Sequence, residues 1–318
     1  MSQLRRGYVY GLAAYVAWGF FPIYFKLLRP AGPVEILAHR VLWSVVFVAA
    51  LLTVVRRWRD LTALVRRPRT LAGIATAAAF IGVNWGTYIY GVNSSHVVET
   101  SLGYFINPLI SVAFGVLLLG ERLRPAQVAA LAIGTGAVAV LTVDYGRPPY
   151  IALVLALSFA LYGLTKKRLG VPPAEGLLVE SGVLALPALG YLVWLSYAGK
   201  ATFGHVSVAH TVLVVLSGAV TALPLLAFAG AANRIPMTGL GVLQYAAPIL
   251  QLFCGVVLYH EPMPAARLVG FALVWIALVV FTWDALRHAR RSARVAPVLG
   301  PTSAPAATPR AVDTEPVG

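Results

Sequence analysis

Residues 97–119 read VVETSLGYFINPLISVAFGVLLL, a stretch whose single charged side chain is Glu99. One helix needs about 20 mainly apolar residues to cross the hydrocarbon core of a bilayer, so this stretch predicts a transmembrane helix. The stretch also carries polar residues at helical spacing and a central proline, Pro108. Because lipid offers no hydrogen-bond partners, the polar face of such a helix must lie against protein or water.

The composition of the whole chain agrees with a membrane protein. Of 318 residues, 59% are hydrophobic and 11% are charged, and the mean hydropathy is +0.80. Soluble domains carry about 25% charged residues, so a soluble enzyme is excluded on composition. The net charge of +14 does not indicate nucleic-acid binding. Lysine and arginine collect in the cytoplasmic loops of membrane proteins, which explains the basic total without an acidic partner.

Ten apolar stretches follow one another along the chain, bounded by charged residues or by Pro and Gly. They are 8–28, 34–55, 71–93, 97–119, 125–144, 149–166, 175–197, 211–232, 238–259 and 265–286. The fold class predicted is an all-α polytopic membrane protein with ten transmembrane helices. Residues 287–318 are basic and then rich in Pro and Ala, which predicts a disordered cytoplasmic tail.

The basic residues are distributed unevenly between alternate loops. With the N-terminus in the cytoplasm, 19 of the 25 lysines and arginines lie on the inner side and 5 on the outer side. Such a bias is typical of the positive-inside rule. The sequence therefore predicts that both the N- and C-termini are cytoplasmic.

An internal repeat appears when the chain is shifted by 140 residues against itself. The offset aligns residues of rare or structure-setting types: Lys26 with Lys166, Pro33 with Pro173, Glu35 with Glu175, Asn93 with Asn233, Pro108 with Pro248, Gly115 with Gly255, Glu121 with Glu261 and Asp144 with Asp284. The predicted repeats are 1–146 and 147–286, each with five helices. An odd number inverts the second copy, and inverted-topology repeats are typical of secondary transporters.

Polar residues on the fourth and ninth predicted spans indicate a substrate pathway. Those on the fourth span share one helical face: Thr100, Tyr104, Asn107 and Ser111. Gln244 and Gln251 match two of them, Tyr104 and Ser111, under the 140-residue offset. The third span offers further candidates for the lining: Asn84, Trp85, Tyr88 and Asn93. Pro108 and Pro248 each free a carbonyl and permit bending. The alternative is that the polar face only hydrogen-bonds the bundle together.

Charged residues within spans are the candidates for coupling. They are Glu35, His39, Arg40, Glu99 and Glu180. Arg40 matches Glu180 under the repeat, which predicts an ion pair between them or a local network, with a substrate or proton role as the alternative. Glu35 and His39 lie one turn apart, and a pair between them near the outer interface is a further expectation.

The motifs of common enzymes are missing from the full sequence. It contains no P-loop, no His-Glu-x-x-His and no Gly-x-Ser-x-Gly, so no catalytic residue, metal or cofactor is predicted. We expect a secondary transporter of a small organic metabolite or drug-like solute, not an enzyme, with the lipid bilayer as its environment and a proton as the candidate coupling ion. The alternatives are a non-transporting receptor or regulatory membrane protein and, less favoured, an intramembrane enzyme.

Several short motifs also resemble a known family. They are Trp18-Gly19 with Pro22, Tyr24 and Lys26, then EILAHR at 35–40 with Trp43-Ser44, then Asn84-Trp85, Val92-Asn93, His96, Glu99, SLGYFINPL at 101–109 and Gly120-Glu121-Arg122. These resemble the RarD-type group of the EamA family, within the drug/metabolite transporter superfamily. The resemblance implies ten helices in two inverted bundles in the bacterial inner membrane. The group's name is tied to a chloramphenicol permease, which we take as a label and not as a substrate assignment.

Overall fold

The computed structural model describes residues 3–56, 66–119, 123–235 and 237–295, together with Trp58, Leu61 and Leu64. Every regular element in these ranges is helical. The helices are α1 (Gln3–Gly19), α2 (Phe21–Leu27), α3 (Pro33–Val54), α4 (Pro68–Asn93), α5 (Val97–Leu119), α6 (Pro125–Tyr145), α7 (Tyr150–Leu169), α8 (Pro173–Tyr197), α9 (Val208–Ala232), α10 (Met237–Leu243), α11 (Ala246–Phe253), a π-helical segment (Cys254–Leu258) and α12 (Ala265–Val295).

Proline and glycine set many of the helix boundaries. Proline occupies the first position of α3, α4, α6 and α8, where its fixed φ suits a helix and its missing N–H costs nothing. Gly146 and Gly170 end α6 and α7 in the left-handed conformation, at φ 64° and 60°. Only glycine adopts that conformation without a steric penalty, so both helices stop there.

In the part of the chain that the structure describes, five helices are long and apolar enough to cross a membrane by length and composition. They are α3, α6, residues 174–197 of α8, α9 and residues 265–287 of α12, and α1 with α2 makes a sixth if that pair, bent by 44°, is one span. The other predicted spans coincide with α4, α5, α7 and the α10–α11 region, which are not among the helices that meet this criterion in the described residues. The chain is an all-α, multi-pass protein, while its count of ten spans stays a prediction.

Two of the predicted spans are interrupted. The first, 8–28, divides at Phe20 into α1 and α2. The ninth, 238–259, divides at Gln244–Tyr245 and ends in the π-helical segment. Pro248 accounts for the second break, because it has no N–H to donate to the carbonyl of Gln244 one turn earlier. Pro108 has the equivalent position in the first repeat, yet α5 continues through it.

The helices pack in a pattern that brings the two sequence halves together. The first half contributes α1–α6 and the second half α7–α12. Helix α1 packs against α9 and α11, and α7 packs against α4 and α5. Helix α3 packs against α8 and α9, while α4 also contacts α8, and α6 lies along α12. Most of the core therefore lies between the halves and not within either one.

Helix α12 continues to Val295, beyond the predicted end of the tenth span at residue 286. Residues 296–318, which form most of the predicted tail, lie outside the described residues, as do Gly120, Glu121 and Arg122.

Candidate functional site

The side chain of Arg40, on α3, lies in the interior of the bundle with 4% of its surface exposed. Its Nε donates a hydrogen bond to Oγ1 of Thr221 on α9, at 2.7 Å. The Thr221 hydroxyl in turn donates to the carbonyl of Ser217, at 2.8 Å. The arginine therefore bridges a helix of the first half to a helix of the second.

A glycine makes this contact between α3 and α9 close. A Cβ at Gly218 would lie 2.2 Å from the carbonyl oxygen of Trp43, so no other residue fits without separating the helices. Because Gly218 precedes Thr221 by one turn on α9, the same approach brings the Thr221 hydroxyl within reach of Arg40.

Aromatic rings surround the guanidinium of Arg40. The ring centroids of Trp85, Phe25 and Phe21 lie 4.2, 5.4 and 5.7 Å from its Cζ. A cation over an aromatic face is stabilised by about 0.5–2 kcal/mol, the upper part of that range applying to desolvated sites. Trp85 comes from α4 and the two phenylalanines from α2, so the cage joins three elements of the first half.

Asn84, next to Trp85 on α4, bridges to the second half through α7. Its Nδ2 donates to the carbonyl of Leu155 at 2.9 Å and to Oγ of Ser158 at 3.1 Å. Its Oδ1 accepts from the hydroxyl of Tyr104, on α5, at 3.5 Å. An amide side chain has two donor N–H groups and two acceptor lone pairs, and here three of these four are engaged across three helices.

Tyr88, one turn after Asn84, connects these groups. Its ring lies 5.7 Å from that of Tyr104 and 6.0 Å from that of Phe25, in edge contacts. Its buried hydroxyl has no hydrogen-bond partner among the described residues. We call this assembly the central cluster. It comprises Phe21, Phe25, Arg40, Asn84, Trp85, Tyr88, Tyr104 and Thr221.

The central cluster contains four of the ten predicted pathway residues and one predicted charge. Phe21, Phe25 and Thr221 were missed, because a phenylalanine or a lone threonine in an apolar stretch carries no signal of its own. Under the 140-residue offset Thr221 matches Ile81, so the repeat gives no hint of its role either.

The other polar residues predicted on one face of α5 differ in how deeply they are buried. Thr100 is buried and its hydroxyl donates to the carbonyl of Val97, at 2.7 Å. Asn107 is half-buried, and its Oδ1 has no partner in the described part of the chain. Ser111 is exposed. The predicted face therefore leaves the interior before the helix ends.

Three further predicted pathway residues, Gln244, Gln251 and Asn93, make no described contact with the central cluster. Gln244 is half-buried and lies in the break between α10 and α11. Gln251 is buried, its Nε2 donates to the carbonyl of Trp18 at 3.1 Å, and its Oε1 has no described partner. Asn93 ends α4 with both side-chain polar atoms buried and without a partner among the described residues.

The predicted ion pair between Arg40 and Glu180 is wrong. Glu180 binds Lys166 at 2.5 Å and accepts from the hydroxyl of Tyr162 at 3.1 Å, both on α7. The reason is that the repeat relates Arg40 to Glu180 by position within each half, which does not make them neighbours. A cation at the end of α7 is within reach of Glu180 and satisfies it.

The expected pair between Glu35 and His39 is also absent from the described contacts. Glu35 accepts from the backbone N–H and the hydroxyl of Thr202, at 2.7 and 3.0 Å. The ring of His39 packs on that of Phe203, with 4.7 Å between centroids. The loop between α8 and α9 supplies both partners, so it covers this end of α3.

Glu99 lies at the start of α5, in a cavity of about 200 Å³. Its carboxylate binds both terminal nitrogens of Arg147, at 2.9 and 3.3 Å, and accepts from the N–H of Ile151 at 3.0 Å. Hydrogen bonding to Glu99 raises the pKa of the Arg147 guanidinium above its ordinary value. Glu261 lines the same cavity, and its carboxylate accepts from the N–H groups of Val97 and Val98 at 2.8 Å each.

Both carboxylates of this cavity lie at helix N-termini, where backbone N–H groups and the helix dipole favour negative charge. No group of three or more metal-ligating side chains occurs in the part of the chain that the structure describes.

Comparison with known proteins identifies the family. Residues 5–143 match the EamA-like transporter family. The protein RarD of Streptomyces exfoliatus is 54% identical over 291 residues, which are 92% of each chain. This chain belongs to the EamA-like transporter family.

Two further relatives are similar to this chain over almost its whole length. An uncharacterized transporter of Bacillus subtilis, YojE, is 40% identical over 92% of this chain and 98% of its own. The chloramphenicol-sensitive protein RarD of Pseudomonas aeruginosa is 32% identical over 91% of this chain and 97% of its own. The predicted resemblance to RarD-type EamA proteins is confirmed, and the chain is a multi-pass membrane transporter by family.

A solved structure titled "Crystal structure of protein" shares the fold. It matches with a TM-score of 0.57 at 23% identity, over 88% of this chain and 98% of that one.

Proposed function

We propose that this EamA-like protein is a secondary transporter of a small organic solute in the bacterial inner membrane. It works by alternating access between two inverted halves of five spans each, with both termini in the cytoplasm. The observation that carries the proposal is the central cluster, because its polar contacts cross from one half to the other: Arg40 to Thr221, and Asn84 to Ser158. A solute bound at the central cluster would therefore lie between the two halves, which move relative to each other in alternating access.

The positions at which helices begin also support the repeat. Four helices of the first half begin at residues 33, 68, 97 and 125, and their counterparts begin at 173, 208, 237 and 265. Each second value is the first plus 140. The offset found from matching residue types therefore also relates the positions at which these helices start.

Packing partners support the repeat as well. The repeat makes the following helices equivalent: α1 and α7, α3 and α8, α4 and α9, α5 and α10–α11, and α6 and α12. When each helix is replaced by its equivalent, every contact named below becomes another contact that is also present. The contacts of α1 with α9 and α11 correspond to those of α7 with α4 and α5. The contact of α3 with α9 corresponds to that of α8 with α4, and the α3–α8 and α6–α12 contacts correspond to themselves. A pseudo-twofold arrangement produces this symmetry.

Equivalent helices that run in opposite directions support the inversion. Asp144 near the end of α6 is ion-paired with Arg267 near the start of α12, and Arg124 just before α6 is ion-paired with Asp284 in the later part of α12. Two helices joined start to end at both extremities are antiparallel. An odd number of spans in each repeat requires this of any equivalent pair.

An ion gradient is the candidate energy source, since the full sequence lacks a nucleotide-binding loop. The three titratable candidates differ in their surroundings. Glu99 and Glu180 are each ion-paired, whereas His39 packs against a phenyl ring and is recorded in no ion pair within the described residues. Histidine changes charge near neutral pH, so we assign the proton to His39 if transport is proton-coupled.

The test is flux in sealed proteoliposomes containing the purified full-length protein. Candidate solutes are taken from a metabolite comparison of cells with and without the gene. We expect saturable flux in the wild type and its loss in Tyr104→Ala, with Gln244→Ala impaired to a smaller extent. The matched control is Val143→Ala, a truncation at an exposed position on α6.

Membrane insertion and elution as a folded species are measured for every variant. Absence of flux for every solute, or normal flux in Tyr104→Ala, would overturn the proposal. A loss of flux that only follows loss of folded protein would assign Tyr104 to packing.

A further inference from the structure

Arg40 stands apart from the other cations of this protein. Among the described lysines and arginines it alone is buried. The ion pairs found among the described residues join four other cations to carboxylates: Arg124 with Asp284, Arg147 with Glu99, Lys166 with Glu180 and Arg267 with Asp144. Within the described residues, no carboxylate forms an ion pair with Arg40.

The guanidinium of Arg40 has donors to spare. It carries five N–H groups, and the recorded hydrogen bond to Thr221 uses the one on Nε. Among the described residues, the hydrogen bond from Nε to Thr221 is the one that Arg40 makes, so the four N–H groups on Nη1 and Nη2 are not engaged there. These four form the planar fork that binds a carboxylate through two parallel hydrogen bonds.

A buried charge without a counter-charge is costly. Insertion scales rank an arginine at the centre of a membrane helix among the most unfavourable residues. Contacts with the rings of Trp85, Phe25 and Phe21 offset part of this cost but neutralise no charge. A ligand that brings a negative charge to Arg40 would complete the site.

We propose that Arg40 binds the carboxylate of an organic monoanion, and that such monoanions are the solute class carried. This inference rests on the proposed transport function and specifies its substrate. The Tyr88 hydroxyl is a second group within the cluster that lacks a partner among the described residues, and it is available to donate to the same ligand. The rings of the cluster suit a ligand with a flat, apolar body.

Charge balance favours a carboxylate over a phosphate ester. The cluster contains one cation and no other basic side chain. A carboxylate monoanion leaves the occupied site neutral. A phosphate monoester, which carries close to two negative charges at neutral pH, would leave one of them unpaired in an apolar interior.

The test measures thermal unfolding of the purified full-length protein in a neutral detergent. The probes are matched acids and amides: benzoate with benzamide, and indole-3-acetate with indole-3-acetamide, with phenyl phosphate as a further arm. Each is added up to about 10 mM, above the usual range of KM values. We expect at least one carboxylate to raise the unfolding temperature by about 5 °C at saturation, with no such rise for its amide.

Variants then assign the effect to Arg40. Arg40→Gln should abolish the carboxylate-dependent rise, and Arg40→Lys should weaken the apparent affinity about tenfold, because an ammonium lacks the planar fork. Arg234→Gln, the same substitution at an exposed arginine, should behave as the wild type. If Arg40→Gln yields no folded protein, the acid–amide comparison in the wild type and the Arg40→Lys shift decide the matter.

Three results would overturn the inference. They are equal stabilisation by acid and amide, no stabilisation by any carboxylate, and stronger stabilisation by phenyl phosphate than by benzoate. Flux of neutral solutes without carboxylate selectivity would remove the anion site and leave the transport function standing. Carboxylate-selective stabilisation without flux of any solute would leave the anion site standing and remove the transport function.

Discussion

Asp144 and Arg267 form an ion pair that joins the end of α6 to the start of α12, with 2.9 Å between Oδ2 and Nε. Both side chains are largely buried, at 8% and 14% exposed. Arg267 also donates to the carbonyl of Pro262 at 2.7 Å. The pair has a counterpart at the other end of the same two helices, where Arg124 binds Asp284 at 2.6 Å.

We predict that Asp144→Asn and Arg267→Gln each lower the free energy of unfolding by about 1.5–3 kcal/mol, as expected for hydrogen bonds to charged groups. The double variant should regain part of the loss, because removing one partner leaves the other uncompensated. The measurement is a double-mutant cycle on the unfolding temperature in detergent. Strictly additive losses would show that the two side chains are not coupled in solution.

A second cycle tests the partner of Glu180. We predict coupling between Lys166→Met and Glu180→Gln, since their charged groups lie 2.5 Å apart. Arg40→Gln and Glu180→Gln should instead be additive within about 0.5 kcal/mol, as for residues without shared partners. Coupling of the second pair but not the first would contradict the contacts described for both residues.

Gly218 offers a test of the close approach between α3 and α9. We predict that Gly218→Ala lowers the unfolding temperature, because the added Cβ would lie 2.2 Å from the Trp43 carbonyl oxygen. It should also reduce flux, since it moves Thr221 away from Arg40. The matched control is Gly182→Ala on α8, where a Cβ meets nothing within 4 Å. That control should be neutral or stabilising by up to about 1 kcal/mol.

Orientation can be tested by labelling single cysteines. Cys254, the one native cysteine, is buried and can be replaced by alanine for this purpose. We predict that cysteines at Arg66 and Arg290 react only from the cytoplasmic side, and that a cysteine at Lys200 reacts from outside intact cells. The basis is the excess of basic residues in alternate loops. Labelling of Arg66→Cys by an impermeant reagent added outside would contradict the predicted orientation.

Much of the architecture could be predicted because proline and apolar length leave clear signals. The spans expected at 34–55, 125–144 and 175–197 coincide with α3, α6 and α8 to within three residues at each end. The break at Gln244–Tyr245 was not predicted, although Pro248 permits it, because Pro108 has the same signal and α5 is continuous. A proline removes one hydrogen bond, and neighbouring helices decide whether the helix then divides.

The side-chain partners could not be predicted in the same way. Matching Arg40 with Glu180 used opposite charge and equivalent position, but contact depends on how the halves pack. Thr221 became the partner of Arg40 because Gly218 lets α9 approach, and that relation joins residues 181 positions apart. Periodicity along one helix gives its faces, whereas the identity of the facing helix is a property of the whole bundle.

The two ion pairs of α6 and α12 have a mechanical meaning. Each holds one extremity of the same antiparallel pair, so a slide of one helix along the other by a single turn, about 5.4 Å, would break both together. The two ion pairs therefore hold α6 and α12 in one register along each other. In the proposed transport cycle, α6 and α12 would keep their register, and the change between inward- and outward-facing states would come from the other helices of the two halves.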